Sequence, residues 1–124
     1  MKTRTVDVAI IGAGTAGLNA RRAVEKAGGQ PLLIESGVYG TTCARVGCMP
    51  SKLLIAAADA AHEVASADGF GIEVPDWRID GARVLARVQR ERDRFAGMVA
   101  ANTEALPAEQ RLFGHARFTG PTTL

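Results

Sequence analysis

Two cysteines, Cys43 and Cys48, stand in the stretch "GTTCARVGCMPSK", Gly40 to Lys52, with four residues between them. Three kinds of chemistry use such a pair. A tetrahedral zinc site needs four ligands, but the two histidines, His62 and His115, are distant and unpatterned, so no metal site is expected. A structural staple over so short a loop constrains the unfolded chain by only on the order of 2 kcal/mol. A reducing cytosol would also tend to open it. A redox dithiol fits best, because two neighbouring thiols cycle between disulfide and dithiol with little backbone movement. Pro50 suits the first turn of a helix, where its missing N–H costs nothing. A helix N-terminus favours thiolate over thiol, and Lys52 adds positive charge in the same turn.

A redox pair requires an electron acceptor, and the N-terminal forty residues hold the pattern for one. Gly12-Ala13-Gly14-Thr15-Ala16-Gly17 fits G-x-G-x-x-G. It follows an apolar run and precedes a helical pattern, and Glu35 closes the next apolar run 18 residues after Gly17, where about 20 is usual. In this arrangement Gly12 permits a tight turn, Gly14 lets the backbone approach a pyrophosphate, and Gly17 lets helix and strand pack closely. The pyrophosphate would sit on free N–H groups at the helix N-terminus. Glu35 would accept hydrogen bonds from a ribose hydroxyl pair and disfavour a 2′-phosphate. The loop alone does not separate FAD from NAD.

The elements that must position these groups follow from periodicity. Thr5 to Ile11 predicts a strand, nearly continuous in apolar residues at its end and so buried on both faces of a parallel sheet. A helix should run from the glycine loop to about Ala27, with Ala16, Ala20, Ala23, Val24 and Ala27 on its apolar face and Arg21, Arg22, Glu25 and Lys26 elsewhere. Gly28-Gly29 stops it. Pro31 to Glu35 predicts a second buried strand, completing a right-handed βαβ opening. A loop, Ser36 to Thr42, leads to the cysteines. A helix from Ser51 to about Ala67 places Leu53, Leu54, Ala57, Ala61 and Val64 on one side. Asp80 is the expected N-cap of a long helix from Gly81 to Leu106, with Leu85, Val88, Phe95, Val99 and Leu106 at three-four spacing. Pro107 ends it, and "RLFGHARFTGPTTL" reads as strand and turn.

Length and composition bound the rest. The 124 residues suffice for one domain, and 47% apolar residues indicate a folded chain. A formal charge of +2 with interspersed signs gives no case for a nucleic-acid partner. Arg87 to Phe95 is arginine-rich, but Glu91 and Asp93 interrupt it, as on a solvated helix face. The N-terminus imitates a secretion signal, yet Asp7 breaks its apolar run. No stretch reaches the ~18 apolar residues of a membrane span. A cytoplasmic location is expected.

Taken together, "AIIGAGTAG", "LLIES" and "GTTCARVGCMPSK" closely resemble the flavoprotein disulfide oxidoreductases that use FAD and a pyridine nucleotide. That family includes dihydrolipoamide dehydrogenase, glutathione reductase and mercuric reductase. The resemblance covers the whole chain and is strongest toward dihydrolipoamide dehydrogenase, through the Pro-Ser-Lys ending and "GHARFTGPTTL". It implies an α/β fold: the N-terminal part of a Rossmann-like FAD-binding domain with a parallel sheet, in which two long helices follow the redox-active cysteines. Residues 1–124 would be the front of a larger protein, without its NAD-binding and dimerisation domains or its catalytic His-Glu pair, and alone would be inactive. Gly12, Ala13, Gly14, Thr15, Ala16 and Gly17 would hold the FAD pyrophosphate, and Glu35 with Ser36 the adenosine ribose. Gly40, Thr41 and Thr42 would line the cofactor, Thr42 at the pyrophosphate, and the backbone at Ala116 would touch the adenine. Cys48 would lie against the flavin as a charge-transfer thiolate when reduced, with Lys52 beside the ring. Cys43 would be the interchange thiol that meets a small dithiol or disulfide substrate. Electrons would pass between dihydrolipoamide, the Cys43–Cys48 disulfide, FAD and NAD in a homodimer. Glutathione-reductase-like and mercuric-reductase-like chemistry are the alternatives, and a stand-alone nucleotide-binding module is the non-enzymatic one.

Two positions depart from the family's pattern. Gly40-Thr41-Thr42-Cys43 replaces the usual Gly-Gly-Thr-Cys, and Arg45 replaces an asparagine. A cation two residues from the interchange thiol would lower its pKa or favour an anionic substrate. Tyr39, in the loop before the cysteines, is a candidate to flank the cofactor.

Overall fold

A computed structural model describes residues 3–124. The chain forms two compact units, one of the described residues up to Thr42 together with Ala96–Leu124, the other Cys43–Phe95.

The first unit is built on a three-stranded parallel sheet in the order β1, β2, β3. Strand β1 is Val8–Ile11, β2 is Pro31–Glu35 and β3 is Arg111–Phe113. Val8 pairs with Pro31 and Ile11 with Ile34, while Leu33 pairs with Arg111 and Glu35 with Phe113. Helix α1, Thr15–Lys26, links β1 to β2, packs against both and ends before Gly28, whose φ of 80° only glycine adopts freely. The βαβ opening and the parallel sheet are those the periodicity predicts.

Burial differs from expectation in two places. Strand β2 is central and Pro31 to Ile34 are all buried, as a continuous apolar run requires. Strand β1 is shorter than expected, and only its Ile10 is buried; Val8 is 40% and Ile11 57% exposed. The reason is position, since among the described residues β1 has a strand neighbour on one side only. In α1 the inward face runs through Gly17, Leu18, Arg21 and Val24, while Ala16, Ala20, Ala23 and Ala27 face solvent. Arg21, expected outside, is therefore buried. Its guanidinium pairs with Glu25 at 2.8 Å and donates to Gln110 Oε1 at 3.0 Å. The methyl groups of alanine bring too little apolar area to set the helix rotation against Leu18 and Val24. The core centres on Ile10, Ala13 and Leu33, with Leu18, Tyr39 and Leu106 packed against it.

Helix α2, Thr42–Val46, begins where the first unit ends and was not foreseen in the loop pattern. In the second unit α3, Cys48–Ser66, starts three residues before the predicted Ser51, so Pro50 lies in its first turn. Leu53, Ala57, Ala61 and Val64 are half-buried along α3, and Leu54 is exposed rather than inward. Helix α4, Gly81–Glu104, begins as expected: Asp80 Oδ1 accepts from Arg83 N at 3.0 Å. Arg87 donates to the Leu53 carbonyl at 3.3 Å, joining α4 to α3. Val88 is buried and Leu85 is not. Glu91 pairs with Arg90 at 3.1 Å and Arg94 at 3.6 Å, and Asp93 with Arg92, so these arginines hold partners on a largely exposed helix surface. Among the described residues no helix is long and apolar enough to cross a membrane.

Candidate redox and cofactor site

The glycine loop has the geometry of a phosphate cradle. Gly12 has a φ of 101°, a left-handed value that a side chain would strain. Its N–H donates to the Ile34 carbonyl at 2.7 Å, fixing the turn to the end of β2. A Cβ on Gly17 would come within 1.9 Å of the Gly12 carbonyl oxygen, so only glycine allows helix and turn to approach this closely. A Cβ on Gly14 would meet no atom within 4 Å. Gly14 therefore leaves open space beside the start of α1 rather than relieving a clash. It offers no side-chain cap, the first turn of α1 carries no acidic residue, and the N–H groups of Thr15, Ala16 and Gly17 point out of the helix end. This combination fits a pyrophosphate.

Glu35, the last residue of β2, faces the same loop. Its Oε2 accepts from Ala13 N at 2.7 Å and its Oε1 from Gly37 N at 2.8 Å. A carboxylate oxygen can accept more than one hydrogen bond, which is what a ribose hydroxyl pair needs. Ser36 is exposed in the turn beside it. The Glu35 carbonyl accepts from Gly114 N at 2.8 Å, which ties the segment after β3, with half-buried Ala116, to the end of β2. The structure thus brings Gly12 to Gly17, Glu35 and the β3 exit together in the first unit.

Gly40 is buried with a φ of 115°, and Thr41 has a φ of 57°. The left-handed value at Thr41 explains why glycine suits this position, because a β-branched residue is strained there. Thr42 opens α2.

In the second unit Cys43 and Cys48 are free thiols in contact. Cys43 lies half-buried in α2, and exposed Cys48 is the first residue of α3. The hydrogen bond that the Cys43 thiol donates to the Cys48 side chain, with burial and the charge of Cys48, raises the Cys43 pKa above the ordinary cysteine range. The Cys48 backbone N–H and the Lys52 ammonium oppose that rise without reversing it. A dithiol that shares a proton in this way resists losing it, which corrects the expectation of a thiolate-favouring environment at Cys43. Lys52 acts in the direction expected. No group of three or more metal-ligating side chains exists among the described residues.

Three features were missed from sequence. The buried Arg21 sat in a polar run that reads as a solvated face. The strain at Thr41 is visible only in its backbone angle. Tyr39 packs against the core and meets Phe113 in a perpendicular ring pair, with centroids 6.3 Å apart. The signal for that pair was an aromatic at the end of the third strand.

A parallel sheet with a glycine turn, an acidic second strand end and a paired-thiol segment defines an α/β nucleotide-binding fold equipped for thiol redox chemistry. The sequence matches the pyridine nucleotide-disulphide oxidoreductase family over residues 6–117, and the chain belongs to that family. It is 33% identical over 121 residues to a dihydrolipoyl dehydrogenase of Thermus scotoductus, covering 95% of this chain and 25% of that protein. It is 36% identical over 118 residues to a mercuric reductase of Shigella flexneri, covering 90% of this chain and 20% of that protein. A solved copper(II) complex of the HOCl-induced flavoprotein disulfide reductase RclA from Escherichia coli superposes with a TM-score of 0.63 at 25% identity. That superposition covers 94% of this chain and 23% of the other. The chain thus spans a quarter or less of these relatives. Membership implies a flavin, and the glycine cradle with Glu35 fits the adenosine diphosphate half of FAD.

Proposed function

We propose that these residues are the FAD-binding, redox-active N-terminal segment of a flavoenzyme that exchanges electrons between dihydrolipoamide and NAD. The observation that carries this reading is the contact between Cys43 and Cys48 at the start of α3. Starting from the disulfide, one thiolate of the substrate attacks Cys43 Sγ. The Cys43–Cys48 bond breaks and a mixed disulfide forms at Cys43. The second substrate thiolate then displaces Cys43, so the substrate leaves as a disulfide and the two cysteines hold the electron pair. The substrate's two protons pass to the reduced cysteines and to solvent. The raised Cys43 pKa lowers its thiolate fraction and makes it the poorer leaving group, so its departure calls for a proton. FAD, held by the glycine loop and Glu35, would supply the electron acceptor for the pair, with NAD as the further partner.

The glycine loop and Glu35 hold the cofactor's phosphates and ribose, with Ser36, Gly40, Thr41 and Thr42 along its length and Ala116 at its base. Cys48 and Lys52 serve at the flavin. The pyridine nucleotide site and the partner subunit of a homodimer belong to a longer protein, and residues 1–124 alone turn nothing over. A cytoplasmic setting suits a pair that must be reduced and reoxidised. Mercuric ion is the second substrate reading, favoured by the mercuric reductase of Streptomyces lividans at 41% identity over 75 residues. Turnover of the full-length protein on lipoamide, glutathione disulfide and mercuric ion tests the assignment. Lipoamide should dominate, and preference for either competitor refutes the lipoamide assignment.

A further inference from the structure

Phe113 closes β3 and lies in register with Glu35 at the end of β2. Register partners on adjacent parallel strands project to the same side of the sheet, about 5 Å apart. Phe113 nevertheless remains 66% exposed. The perpendicular contact with Tyr39, itself packed on the core, fixes its ring and covers at most part of it. A large aromatic oriented by an edge contact and left open to solvent offers its free face to a partner. The carboxylate beside it indicates which partner. A nucleotide whose ribose hydroxyls meet Glu35 carries its base on the adjoining ribose carbon, and the β3 exit is tied to Glu35 by the Gly114 hydrogen bond.

We propose that Phe113 is the base-stacking platform of the cofactor site, positioned by Tyr39. The inference rests on the reading that the glycine loop and Glu35 bind the adenosine diphosphate half of FAD. A fixed ring loses little freedom on stacking, and a base–aromatic stack contributes enough to change affinity about ten-fold on truncation.

The test uses the full-length protein stripped of flavin, titrated calorimetrically with ADP and with ribose 5-diphosphate, which lacks the base. Phe113→Ala should weaken ADP about ten-fold and leave ribose 5-diphosphate unchanged, while Phe113→Tyr should retain both. Phe113→Leu, which keeps apolar volume against Tyr39, gives the same comparison if the alanine variant folds poorly. Equal losses for both ligands, or no loss for ADP, overturn the stacking role while leaving the nucleotide site intact. A wild-type protein that binds neither ligand overturns the nucleotide reading and the stacking role with it.

Discussion

The Glu35 carboxylate bonds to the amide of Ala13, inside the glycine loop, across 22 residues of sequence at 2.7 Å. With the Gly37 amide on its other oxygen at 2.8 Å, both carboxylate oxygens accept from backbone N–H groups. Its orientation is therefore set before any nucleotide arrives. Glu35→Ala should lower unfolding free energy by about 2 kcal/mol, the scale of hydrogen bonds to a charged acceptor, as read by urea denaturation. Glu35→Gln, with one oxygen acceptor left, should lose less. Both should retain less flavin than the wild type.

Gly14 and Gly17 make opposite predictions. Gly17→Ala places a methyl 1.9 Å from the Gly12 carbonyl oxygen, so α1 must move away from the turn. It should cost at least 1–3 kcal/mol, the range for overpacking, and lower the melting temperature whether or not flavin is present. Gly14→Ala meets open space and should leave the apoprotein's melting temperature within about one degree, a small surface effect. Its methyl projects where a phosphate would approach, so flavin content after reconstitution should fall sharply. Paired thermal melts and flavin-to-protein ratios check both.

Thr41 carries a φ of 57°. Glycine adopts that conformation without strain, so Thr41→Gly should stabilise the protein by about 1 kcal/mol, partly offset by the greater freedom of glycine in the unfolded chain. Thr41→Val keeps the β-branch and should gain nothing. Denaturation midpoints of the two variants give the comparison.

The raised Cys43 pKa fixes a pH dependence. Folding favours the protonated thiol, so this contribution to stability is present below the ordinary thiol range and is lost as pH rises through the raised value. In the reduced, flavin-free protein, iodoacetamide should alkylate Cys43 more slowly at neutral pH than an unstructured cysteine, with the rate climbing above about pH 8.5. Lys52→Gln removes the ammonium that opposes the rise, and should move the profile further up. Peptide mapping after timed alkylation reports each.

The elements that depend on period and punctuation were legible in the sequence. Pro31 to Glu35 is a strand with the predicted bounds, because Gly28-Gly29 and Ser36 mark its ends and an unbroken apolar run needs cover on both faces. Asp80 caps α4 as its spacing implies. The tight turn at Gly12 and the close packing at Gly17 were legible, since each answers to a separate steric demand. What escaped was set by neighbours. The exposure of Val8 and Ile11 follows from the place of β1 in the sheet, which its own residues do not encode. The inward turn of Arg21 depends on Gln110, 89 positions away. The state of the Cys43 thiol depends on a hydrogen bond to Cys48 that outweighs the more visible charges of the motif.

The central claim is that Cys43 and Cys48 form a working redox disulfide in contact with a flavin. An anaerobic dithionite titration of the full-length flavoprotein tests it most directly. The wild type should take up two electron pairs per flavin, one for the flavin and one for the disulfide, while Cys43→Ser and Cys48→Ser should each take up one. A wild-type protein saturated by a single pair, with both serine variants indistinguishable from it, would contradict the account.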